Sequence, residues 1–181
     1  MQGPDKIMLI RHAEKPIPGG PNGVNLDGSP NDHALIVRGW HRAGALVSFF
    51  AKPTHAGIAT PTTIFASGTS ADPSLPPDEA ESLRPQQTVT PVHDMLGVPF
   101  QTAIAVGDEA AVIEAITACT GVVLVAWEHK HIPIIAAGFV DGAPTKWGDR
   151  FDVVWVLDHQ PDGTYAFSAL DQSLLAGDVT S

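Results

Sequence analysis

Lys6-Ile7-Met8-Leu9-Ile10-Arg11-His12-Ala13-Glu14 carries four consecutive apolar residues directly into an Arg-His pair. A continuous apolar run of this length, bounded by polar residues, suits a strand covered on both faces. Ligands of open α/β sheets sit beyond the carboxyl ends of such strands, so Arg11 and His12 stand where chemistry is expected. A second run of the same kind, Val122 to Trp127, leads into Glu128-His129. In a parallel sheet both histidines would share one edge and could converge.

Between these strands the pattern alternates. Pro16 to Pro30 is dense in Gly, Pro, Asn and Asp and reads as loop. From Asp32 a helix is expected, with Ile36, Trp40, Ala43, Val47 and Phe50 on one face and Pro53 beyond its end. Thr62 to Ser67 reads as a short strand. Gly68 to Asp78, with three prolines, reads as a surface flap. A helix is expected over Ser82 to Leu96, with Pro85 in its first turn, Pro91 bending or interrupting it and Gly97 ending it.

Val98 to Ala105 suits an edge strand. Asp108 should cap a helix whose face carries Val112, Ile113, Ile116 and Cys119 and which Gly121 stops. Pro133 opens another, to about Phe139. Phe151 to Leu157 and Tyr165 to Leu170 read as two strands around the turn at His159-Gln160-Pro161-Asp162-Gly163. This order implies a three-layer α/β domain, a mostly parallel sheet with helices on both faces and an antiparallel carboxyl-terminal edge.

Composition narrows the function classes. The 181 residues suit a single domain, 1–181, burying about 70% of the surface of its unfolded chain. Cys119 is the sole cysteine, which excludes an intrachain disulfide and a thiolate metal cluster. A net charge of −10, with only ten Lys and Arg, argues against nucleic-acid or anionic-membrane partners. With neither a signal-like segment nor an apolar run long enough to span a bilayer, a cytoplasmic location is the expectation.

The Arg-His pair suggests phosphoryl chemistry. A neutral imidazole attacks phosphorus readily near pH 7, and the adduct can then be hydrolysed. Guanidinium groups pair bidentately with phosphate oxygens, so Arg11 and a second arginine could clamp the transferred group. Arg84, just before Pro85 at a loop-to-helix junction, is the candidate for that second position. Arg38, Arg42 and Arg150 are expected to be solvated or ion-paired.

On these residues the chain resembles the histidine phosphatase superfamily, the phosphoglycerate mutase-like fold, in its small bacterial-type branch 1. Leu9-Ile10-Arg11-His12-Ala13-Glu14 is similar to the Arg-His-Gly signature, with Ala13 in place of Gly. Leu35 to Ala43 is similar to the first helix, Ser67 and Arg84 through Thr88 to the strand-to-helix motif, and Val123 to His129 to the strand carrying the second histidine. The resemblance implies that His12 is the phosphorylated nucleophile and that Arg11, Arg84 and His129 hold the phosphoryl group. It places the proton donor near Asp108 and Glu109, so Glu109 is the candidate acid, with Glu14 and Glu128 as alternatives.

The function implied is a metal-independent phosphatase that needs no cofactor and acts on a phosphomonoester or phosphoramidate, carried by a small substrate or a phosphoprotein. The alternatives are a mutase-like phosphotransferase and a non-catalytic phospho-ligand module. His129-Lys130-His131 is set aside as a metal motif because no carboxylate or thiol cluster accompanies it in the sequence.

Overall fold

A computed structural model describes residues 3–179. Its centre is β1 (Lys6–Arg11), flanked by β4 (Val122–Trp127) and β5 (Val153–His159). With β2 (Thr63–Ala66), β3 (Phe100–Gln101) and β6 (Tyr165–Asp171) they form a six-stranded sheet in the order β3-β2-β4-β1-β5-β6. β1, β4, β2 and β3 are parallel, and β5 and β6 are the antiparallel edge.

Successive residues of β1 point to opposite faces, and each face has its own core. Met8 and Ile10 pack with Leu46, Phe49 and Phe50 of α1 (Val37–Ala51) and with Val89 and Val92 of α3 (Arg84–Leu96). Ile7 and Leu9 pack with Val112 and Ile116 of α4 (Glu109–Thr117) and with Ile132, Ile135 and Ala136 of α5 (Ile132–Ala137). Helices therefore cover both faces, and no described helix is long and apolar enough to cross a membrane.

Several element boundaries follow from single residues. Asp108 accepts a hydrogen bond from Ala111 N–H and caps α4. Gly97 ends α3 with φ 64°, a left-handed conformation that glycine adopts without steric cost. α3 runs through Pro91 without a break, contrary to the interruption its sequence suggests. The flap contains one short helix, α2 (Pro77–Ala80).

The buried face of α1 is rotated from the expected stripe. It holds Gly39, Arg42, Ala43, Leu46, Phe49 and Phe50, while Trp40 and Val47 are only partly covered. Arg42 is 2% exposed because it is the hub of an ion cluster. Its Nη2 donates to Glu14 Oε1 at 2.8 Å and to Asp178 Oδ1 at 2.7 Å, and its Nη1 donates to Asp178 Oδ2 at 3.0 Å. Gly39 lets the helix approach this loop, since a Cβ there would meet the Glu14 carbonyl at 2.6 Å.

Breaking one partner of a buried ion pair leaves an uncompensated charge and costs about 3 kcal/mol or more. Asp178→Ala should therefore lower unfolding stability by about 3 kcal/mol in urea titration. A loss below about 0.5 kcal/mol, the level of a surface pair, would contradict this role.

Candidate active site

Parallel pairing of β1 with β4 sets Arg11 opposite Trp127, so His12 and Glu128 leave the sheet side by side. His12 N–H donates to the Trp127 carbonyl at 3.1 Å, extending the pairing one residue beyond the strands. The loop after His12 is fixed by Thr88: its hydroxyl accepts from Ala13 N–H at 2.8 Å and donates to the Arg84 carbonyl at 2.7 Å. One side chain thus ties the loop after His12 to the first turn of α3, where Arg84 sits.

His12 is 1% exposed. Its Nδ1 lies 2.7 Å from the Ala13 carbonyl, which only an N–H can satisfy, so the lone pair is on Nε2. Burial lowers its pKa most, and the nearby Arg11 and Arg84 charges lower it further against the opposing Ala13 bond, to about 3. The ring is neutral at physiological pH, as a nucleophile requires.

Arg11 is 5% exposed and packs its guanidinium 4.0 Å from the centre of the Phe151 ring, while Nη1 donates to the Asp149 carbonyl at 2.9 Å. Among the described residues, Arg11 Nε and Ser67 Oγ are buried with no hydrogen-bond partner. Buried polar groups are normally satisfied, so both suit contact with the oxygens of a bound anion. Arg84 is 2% exposed, and its charge acts on both His12 and Arg11.

His129 follows Glu128, and its Nδ1 is in ionic contact with Glu128 Oε1. Burial pushes the Glu128 pKa up, but the His129 contact and the Lys130 N–H, which donates at 2.6 Å, outweigh it and hold the carboxyl at about 2. Glu128 therefore carries no proton to donate at neutral pH. Beside His129 opens a cavity of about 340 Å³, also lined by Lys130, Lys146, Trp147 and Asp149. A larger cavity of about 600 Å³, at Gly3, His159 and Tyr165, contains none of the candidate residues.

The two other candidate acids stand apart from this role. Glu109 Oε1 accepts from Gly107 N–H at 3.0 Å and Trp127 Nε1 at 3.1 Å, and lies 3.0 Å from His131 Nδ1. Against the upward push of burial, these donors lower its pKa, which favours the carboxylate over the acid. Glu14 is taken up by Arg42 and by Arg38, whose Nε is 3.1 Å from Oε1, in the ion cluster beneath the loop.

Around His131 the structure departs from the sequence reading: Glu79, Glu109 and Glu128 gather there, although no carboxylate cluster was expected. Ligand-type atoms of Glu79, Glu128 and His131 lie within 4.8 Å of one another. Charge within the group is already matched, since Lys130 Nζ pairs with Glu79 and His131 Nδ1 with Glu109. The adjacency of Glu79 to this group depends on how the flap folds back, which no local pattern encodes.

Fold and site together describe an α/β protein with an Arg-His pair and a second histidine on one sheet edge. No protein-family model matches the chain, and no curated protein matches it. Among solved structures it is similar to the protein histidine phosphatase SixA complexed with tungstate, at 14% identity and a TM-score of 0.59, over 92% of this chain and 97% of that one. At this identity the likeness establishes a shared fold: the three-layer, phosphoglycerate mutase-like architecture.

The folded His12 pKa lies below the ordinary histidine value, so between about pH 3 and pH 6.5 the unfolded chain binds a proton that the native ring does not. Stability should rise with pH across that window and level off above it. Between pH 7 and pH 5, His12→Gln should lose about 2 kcal/mol less than the unsubstituted protein in urea titrations. Identical losses would show that the native ring titrates normally.

Proposed function

We propose that the chain is a phosphatase acting through phospho-His12, and that its substrates are phosphoramidates, with a phosphohistidine side chain of a protein as the leading class. The observation that carries this reading is the fixed, neutral His12 tautomer, with Nδ1–H on the Ala13 carbonyl and the lone pair on Nε2. Nε2 attacks phosphorus while the bond to the leaving atom breaks and its electron pair goes to that atom. Arg11, Arg84 and His129 hold the phosphoryl oxygens, and the charges of the two arginines offset those developing in the transition state.

In the second step water attacks the phosphorus of phospho-His12. The electron pair of the broken P–N bond returns to Nε2, and phosphate and a proton are released. Retention of the Nδ1 proton by Ala13 keeps the phosphorylated ring a good leaving group, because departure regenerates the neutral imidazole.

The preference for a P–N bond rests on the carboxylates. Alkoxide departure from a phosphomonoester demands a general acid, whereas a nitrogen base that takes its proton from solvent leaves without one. Glu128 is held at about 2, and Glu109 is lowered by three donors, so neither is poised to protonate an alkoxide. The SixA structure, described as a protein histidine phosphatase, supports the same class.

The test compares hydrolysis of a phosphohistidine-containing peptide with that of a simple alkyl phosphate. The peptide should be turned over faster, and His12→Ala should lower its turnover at least about 10³-fold, while Glu109→Gln changes it less than about tenfold. Turnover that survives in His12→Ala would sink the mechanism. Phosphate binding without turnover would leave a phospho-ligand module instead.

A further inference from the structure

α2 carries the run Pro77-Asp78-Glu79-Ala80, and its acidic side chains lie against cations around the candidate site. Asp78 Oδ1 accepts from Arg84 Nη2 at 2.7 Å, and its Oδ2 accepts from Lys15 Nζ at 2.6 Å. Glu79 pairs with Lys130, directly beside His129. The flap is therefore held down at three cations from three parts of the chain: the loop after His12, the start of α3 and the loop after β4.

The remaining partners of Arg84 differ from Asp78. Its Nη2 also donates to the Asp32 carbonyl at 2.6 Å, its Nη1 to the Asp78 carbonyl at 3.3 Å and its Nε to the Ala34 carbonyl at 3.4 Å. Those acceptors are backbone oxygens. Among the described residues the Asp78 carboxylate is the one charged partner, and its side chain is 51% exposed while that of Arg84 is 2% exposed. An anion on a buried guanidinium, carried by a half-exposed side chain of a four-residue helix, is placed to be exchanged for another anion.

We propose that Asp78 is an internal ligand of the phosphate pocket, occupying Arg84 until the substrate's phosphoryl group displaces it. This rests on the reading of Arg84 as a phosphate-holding residue. A phosphoryl dianion carries more charge than a carboxylate and offers guanidinium the same paired oxygens, so it wins the exchange. A monoanionic ligand, matched by Asp78, does not. Asp78 thus determines which anions the pocket admits, and its departure also frees Lys15.

The exchange is tested by calorimetric titration of inorganic phosphate into the unsubstituted protein, Asp78→Asn, Asp78→Ala and Arg84→Ala, with peptide turnover measured in parallel. Removing the competing charge should tighten phosphate binding roughly tenfold in both Asp78 variants and lower KM by a similar factor, with kcat changed less than about threefold. It should also admit a monoanion such as acetate, which the unsubstituted protein excludes. Asp78→Asn preserves the side-chain shape, so an Asp78→Ala protein that fails to fold leaves the question answerable.

Unchanged or weaker phosphate binding in Asp78→Asn would overturn the proposal while leaving the phosphatase reading intact, and would make Asp78 a support for Arg84. Phosphate bound by Arg84→Ala as tightly as by the unsubstituted protein would overturn the proposal together with the reading of Arg84 as a phosphate-holding residue.

Discussion

The parallel pairing of β1 with β4 is the constraint on which the rest of the site depends. Its register runs from Lys6 opposite Val122 to Arg11 opposite Trp127, and the His12 N–H bond to Trp127 carries it one step further. A slip of one residue would turn Met8 and Ile10 toward the α4 and α5 face and Ile7 and Leu9 toward α1 and α3. Both cores therefore oppose a slip, and the energy that sets the register also sets His12 beside Glu128, one residue before His129. Packing far from the chemistry determines where the chemistry is.

Each functional side chain is then held by a second constraint. Thr88 links the Ala13 N–H to the Arg84 carbonyl, and the Ala13 carbonyl fixes the His12 tautomer. Below them Glu14 anchors the loop on Arg42, which is itself clamped by Asp178 near the carboxyl end. The site is thus built from positions spread across nearly the whole chain. Its positive side chains are buried against carbonyls, an aromatic ring and carboxylates, so an acidic protein holds a local cluster of positive charge.

Much of this was legible in the sequence, for physical reasons. The unbroken apolar runs at Ile7 and Val122 identify buried strands because few other elements bury every residue of a short run, and Arg11, His12 and His129 follow directly from them. Asp108 and Gly97 announce helix ends through local hydrogen bonding and backbone freedom. What local pattern does not carry is pairing at a distance. Arg42 read as solvated or ion-paired, but no local pattern names its partner Asp178 far along the chain, and α1 is rotated toward that pair. Glu79 joins Glu109 and Glu128 at His131 only because the segment between Ser67 and Arg84 folds back toward the end of β4. Asp78 read only as the last residue of the flap, and the fold alone brings it onto Arg84.

The central claim is that His12 Nε2 takes the phosphoryl group. The direct measurement is mass spectrometry of the protein mixed with a phosphohistidine peptide, quenched within milliseconds in alkali and digested at high pH to preserve P–N bonds. One phosphate on His12, on the nitrogen remote from the Ala13 carbonyl, is the predicted result. Turnover with no phosphorylated histidine, or with the phosphate on His129, would contradict the account.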